Sequence, residues 1–129
     1  MTRQEIFDKV VAHFAVQREG AASEDGMCMY RTPDGRKCAI GALIPDEAYN
    51  PDCEGAPVSL LFIHYPNMMQ ASGLRSEDQG LLIDLQVAHD GAAPGDNFLV
   101  DLSLLMRAIA RKYGLDASSL VLLGEQGAG

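Results

Sequence analysis

"MYRTPDGRKCAIGALIPDEAY", residues 29–49, is the segment on which the architecture turns. Thr32-Pro33-Asp34-Gly35 places proline where a type I turn wants a fixed φ and glycine where the next position needs a positive one. Residues 27–31 and 36–44 then read as the two arms of a hairpin. A loop of that length sets Tyr30 opposite Cys38 and sends both to one face. Gly41 within the second arm predicts a bulge or a close backbone approach. A lone hairpin is marginal in water, so it needs cover from helices or an edge pairing with a second copy of the chain.

The flanking segments read as helices. Thr2-Arg3-Gln4-Glu5 has the spacing of a capping box, and Ile6, Phe7, Val10, Val11 and Phe14 follow on one helical face over residues 3–18. "EGAASEDG" (19–26) ends that helix as a loop. Residues 45–57 are irregular and acidic. "PVSLLFIHY" (57–65) fits a helix with proline at its start or a buried strand, and so short a run does not separate them. Ser76-Glu77-Asp78-Gln79 reads as a second capping box, opening a helix to about His89 with Leu81, Leu82, Leu85 and Ala88 inward. After the loop "GAAPGDN" (91–97), Asp96 or Asn97 caps a long helix to Tyr113. Its inward residues are Phe98, Leu102, Leu105, Met106 and Ile109; Arg107, Arg111 and Lys112 lie near its negative end, and Gly114 stops it. Asp116 caps a last helical turn. The expected fold is α+β: four to five helices around a small antiparallel hairpin, one domain over residues 1–124 and a glycine-rich tail at 125–129.

Composition narrows the class. At 129 residues, 47% apolar and 22% charged, the chain is long enough to bury a core without metals or disulfides. Three cysteines are too few for a disulfide framework and point to a reducing cytoplasm. No apolar run approaches the length that crosses a bilayer, and "MTRQEIFDKV" lacks the apolar core of a secretory signal. The net charge of −8 is concentrated in residues 45–101, where ten carboxylates face Arg75 alone. A phosphate backbone would be repelled there, which argues against nucleic-acid binding through that segment.

Candidate chemistry centres on Cys38. A nucleophilic thiol needs a cation, a helix N-terminus or a histidine beside it. Arg36 and Lys37 precede it, His64 or His89 supplies a possible base, and Asp84 or Asp90 a third member, so a hydrolase or transferase is one reading. Burial of Cys38 as a small hydrophobe is the simpler one. His89, in "VAHDG", reads as a partly exposed histidine at a helix C-terminus. Cys28, Cys38, Cys53 and His64 are too widely spaced to open a zinc site, and no glycine loop carries the Lys-Ser/Thr follow-on of a phosphate cradle. Neither metal nor cofactor is expected.

The stretch "CMYRTPDGRKCAIGALIPDEAY" with "NPDCEG" after it, then "LIDLQVAHD" and "IARKYGLD", resembles a family of small bacterial and prophage proteins along the whole chain. The resemblance implies a shared fold and a phage-associated setting, and it brings no reaction and no catalytic residue with it. The function expected is therefore binding. Asp46, Glu47, Asp52, Glu54, Glu77 and Asp78 would dock on the basic surface of a partner protein, as an inhibitor of a host defence nuclease or a nucleic-acid mimic would. Alternatives are the Cys38-dependent enzyme and a protein that sequesters an anionic nucleotide through Arg31, Arg36 and Lys37.

Overall fold

A computed structural model describes residues 1–22, 29–92 and 95–124. Cys28, the first residues of the expected hairpin arm, part of the 91–97 loop and the 125–129 tail lie outside the described residues. Helical turns make up 62% of the fold, and no sheet is present among the described residues. The protein is helical, not α+β.

Among the described residues the α-helices are α1 (Arg3–Gln17), α2 (Val58–His64), α3 (Pro66–Ala71), α4 (Gln79–Gly91) and α5 (Phe98–Tyr113). The Thr2 hydroxyl accepts the Glu5 amide at 3.1 Å, and the Glu5 carboxylate accepts the Thr2 amide at 2.9 Å, so the first capping box forms as expected. The apolar face of α1 (Ile6, Phe7, Val10, Val11, Phe14) is fully buried, which makes it the central element. Packed on it are the 3₁₀ turns Gly41–Leu43 and Ser118–Leu123. Asp116 opens the latter by accepting the Ser118 amide at 2.9 Å.

Residues 57–65 resolve as a helix: Pro57 precedes α2, which buries Val58 and Leu61. The second capping box does not form. A 3₁₀ turn, Ser76–Asp78, leads into α4 without a side-chain cap. The Asp78 carboxylate, 1% exposed, pairs with Arg3 at 3.2 Å. α4 and α5 run antiparallel: Lys112 and Tyr113 reach Asp84 at 2.8 and 2.7 Å, while His89 at the other end meets Phe98.

The turn forms as read. Gly35 has φ +93° and donates its amide to the Thr32 carbonyl at 3.0 Å. Tyr30 and Cys38 are both buried, joined by a Cys38 amide to Tyr30 carbonyl bond of 3.1 Å. Among the described residues, however, the arms share one bridge, Arg31 to Lys37. Beyond it the chain coils: the carbonyls of Cys38, Ile40 and Gly41 accept the amides of Ala42, Leu43 and Ile44. Cys38, Ala39, Ile40, Leu43 and Ile44 are all buried, and a strand cannot place neighbouring residues on the same side. Close approach is the correct reading of Gly41, since a Cβ there would lie 1.9 Å from the Tyr30 carbonyl oxygen. Among the described residues a single Arg31–Lys37 bridge stands in place of two paired arms.

Candidate functional site

Cys38 sits in the interior, with no exposed surface. Its Sγ accepts the Gly41 amide at 3.3 Å. Burial pushes the thiol up to about 12, and the neighbouring amides of Gly41 and Ile40 and the Gln86 side chain offset only part of that. Neither basic neighbour serves the sulfur. Lys37 reaches Asp46 at 3.3 Å, and Arg36 holds Asp34 at 3.1 Å and the carbonyl of Ala22 at 3.0 Å. Burial likewise raises Cys53, to about 11. Both thiols keep their protons at neutral pH.

His89 is buried, contrary to the partly exposed position expected of it, at 4% exposure between Phe14 and Phe98. Its Nε2 accepts the Ala21 amide at 3.0 Å, and its Nδ1 donates to Asp90 at 3.0 Å. Gly20 makes that approach possible, because a Cβ there would stand 3.1 Å from Nε2. A general base needs a free nitrogen facing its substrate. Both nitrogens of His89 are committed, and the ring pins residues 20–22 to the end of α4.

The carboxylates expected to form one docking surface divide by use. Asp46 is exposed and receives Arg31 at 2.8 Å and Lys37 at 3.3 Å; hydrogen bonds and charge from Lys37 and Arg31 hold its carboxyl below the usual range. Arg31 also donates to the Ile44 carbonyl and stacks on Tyr49, 4.6 Å from the ring centre. Glu54 accepts the amides of Tyr30 and Arg31 at 2.8 and 3.0 Å and the Tyr49 hydroxyl. Asp78 is interior, and Glu77 pairs with Arg75 at 3.0 Å. Glu47 and Asp52 remain exposed, with no ion pair among the described residues. Arg31, Arg36 and Lys37 are each engaged by carboxylates, so they do not converge on an open anion site. No group of three or more metal-ligating side chains occurs among the described residues, and no described helix is long and apolar enough to cross a membrane.

A cleft of ≈380 Å³ opens between the outer face of α4 and the chain leading into α2. Pro57, Val58, Ile83 and Val87 supply apolar walls, and Gln86 and Asp90 supply polarity. Ile83 is 39% and Val87 62% exposed. The Gln86 amide nitrogen donates to Asp90 at 3.4 Å, one helical turn on, while its Oε1 is buried without a hydrogen-bond partner. No lysine or arginine lines this cleft. Across Asp90 lies a second cleft of ≈320 Å³ that includes His89, Arg36 and Phe98. The signal for the first cleft was present in sequence: Ile83 and Val87 fall four apart and off the Leu81, Leu82, Leu85, Ala88 face. Only the folded chain brings Pro57 and Val58 opposite them.

A slot with apolar walls, a carboxylate in its lining and no basic side chain accepts a hydrogen-bond donor with positive charge and repels an anion. No family model, curated protein or solved structure matches the chain.

Proposed function

We propose that the protein acts by binding another protein, and that the cleft beside Asp90 takes a lysine or arginine side chain from an exposed segment of that partner. The Asp90 carboxylate, in a cleft with apolar walls and no basic lining residue, carries this reading. A guanidinium or ammonium entering the cleft gains a charge-assisted hydrogen bond to that carboxylate. Ile83 and Val87 cover the aliphatic stem that such side chains bury behind their charge. The net charge of −8, with Glu47 and Asp52 facing solvent, steers a basic partner toward the protein and speeds encounter. A protein whose basic surface handles nucleic acid, such as a host defence nuclease, is the partner class that this charge suits. The setting is the reducing cytoplasm, where Cys38 and Cys53 stay as thiols.

A titration followed by two-dimensional amide NMR tests the reading with blocked Leu-Arg-Leu and Leu-citrulline-Leu peptides. The arginine peptide should shift the Gln86 side-chain amide and the backbone signals of Ile83, Val87 and Asp90, and Asp90→Asn should weaken its binding. Citrulline, isosteric and uncharged, should bind more weakly. Shifts confined to other faces, or equal response to both peptides, would remove the cleft from the function.

A further inference from the structure

The outward face of α5 carries Val100, Leu104 and Ala108 at four-residue spacing, with Leu105 beside them. Val100 is 51% exposed and Leu104 64%; Leu105, expected inward from its spacing, is 38% exposed. A groove of ≈250 Å³ between α4 and α5, lined by Val87, Leu105 and Ala108, widens the apolar surface. A helix face that meets only water is ordinarily polar, so this stripe lacks its cover.

Charge along the same helix shows what fits. Its start is acidic, with Asp96 and Asp101, and its end is basic, with Arg107, Arg111 and Lys112. A uniformly basic partner would be opposed at one end, and an anionic surface at the other. A second α5 laid antiparallel matches both ends at once. If the two-fold axis passes at the level of Met106, Leu104 of one copy meets Ala108 of the other, and Asp101 meets Arg111. A single axis satisfies the apolar and the charged pairs together, as a closed two-fold interface requires. The small Ala108 side chain lets the helices approach closely. Lys112 holds Asp84 at 2.8 Å within its own chain, which leaves the exposed Arg111 as the cation for the pair.

We propose that two copies of this chain associate through α5, antiparallel across a two-fold axis, with Leu104 packed on Ala108 and Asp101 paired with Arg111. Val87 borders both this face and the Gln86–Asp90 slot, but Leu104, Ala108, Asp101 and Arg111 do not line that slot, so the proposal stands independently of the partner-binding reading. Sedimentation equilibrium from micromolar to millimolar concentration tests it. The wild-type chain should show a monomer–dimer equilibrium. Leu104→Glu should raise the dissociation constant by about tenfold or more, with an unchanged far-ultraviolet circular dichroism spectrum. Asp101→Arg and Arg111→Asp, both surface changes, should each dissociate the dimer alone, and mixing the two variants should restore it as a heterodimer. A wild-type chain that stays monomeric throughout would overturn the proposal. So would a dimer indifferent to all three substitutions, or a mixture of the two charge variants that fails to reassociate.

Discussion

The carboxylate of Glu54 accepts the backbone amide of Arg31 at 3.0 Å, and the same group takes the Tyr30 amide at 2.8 Å. In a sheet, those two donors would point to opposite sides of the strand and be met by different neighbours. Here one side chain, reached across more than twenty residues, takes that place, and the hairpin stem is held without a sheet. The arrangement demands that Glu54 be held in position, which makes it structural within the acidic segment.

Removing that carboxylate should be costly. Glu54→Ala leaves two part-buried amides without an acceptor and should lower stability by about 2–4 kcal/mol. Glu54→Gln, which keeps a carbonyl oxygen, should cost less. Chemical denaturation of both variants measures the difference, and an Ala variant at the wild-type midpoint would show that the amides find other partners.

Glu47 and Asp52 are expected to behave differently. Their reversal to lysine together should move the unfolding free energy by no more than about 0.5 kcal/mol each, while slowing association with a basic partner. The slowing should shrink as salt rises. Stopped-flow association at two ionic strengths checks this, once a partner is captured; rates equal to wild type would leave these two carboxylates without a steering role.

Two glycines in the turn region separate strain from collision. Gly35 has φ +93° with open space around its missing side chain, so Gly35→Val should cost about 1–2 kcal/mol through backbone strain. At Gly41 an added Cβ meets the Tyr30 carbonyl oxygen at 1.9 Å, and backbone must move. Gly41→Ala should therefore cost more, about 3 kcal/mol or above. Thermal unfolding of the two variants ranks them; a Gly41 variant as stable as the Gly35 one would contradict the packing described.

Thiol labelling follows from burial. In a chain carrying Cys28→Ser and Cys53→Ser, native Cys38 should react slowly at neutral pH, since its pKa is pushed up to about 12 and its surface is inaccessible. The rate should climb across the unfolding transition. Fast labelling of the native protein at pH 7 would return Cys38 to the nucleophiles.

Stability should also fall as the solution is acidified, in two separable windows. Burial pushes the His13 imidazole below its ordinary value, and the Lys37 ammonium adds to that, although the Lys37 carbonyl that takes its Nε2 proton at 3.0 Å works the other way. A histidine with a depressed folded pKa contributes stability that is present above the unfolded value near ~6.5 and is lost as pH falls through the folded one. His13→Gln should therefore flatten the stability profile between about pH 7 and 5. The second window belongs to Asp84. Burial alone would raise its pKa, yet the hydrogen bonds from Lys112 and Tyr113 lower it on balance. Its contribution is present above the unfolded value near ~3.9 and is lost only at lower pH. Denaturation of wild type and the His13 variant across this range is the measurement. Parallel profiles down to pH 5 would mean that His13 titrates alike in both states.

What this sequence determines by itself is local. The Thr2–Glu5 capping box, the apolar face of α1, the Pro33–Gly35 turn and the stop at Gly114 all form as their spacing predicts, because each rests on residues a few positions apart. Tertiary structure decided whatever depended on a distant partner. The second capping box does not form, and Asp78 within it is buried against Arg3 from a distant helix. The hairpin arms ended after one bridge because Glu54 satisfied the Tyr30 and Arg31 amides from outside, and because "CAIGALI" (38–44) buries neighbouring residues on both sides and so coils into the core. The cleft beside Asp90 arises the same way: Ile83, Gln86 and Val87 share one face of α4 in sequence, but a face becomes a slot only when Pro57 and Val58 close over it. Backbone hydrogen bonds and apolar surface must be satisfied by something, and the chain's pattern states the need without naming the residue that meets it.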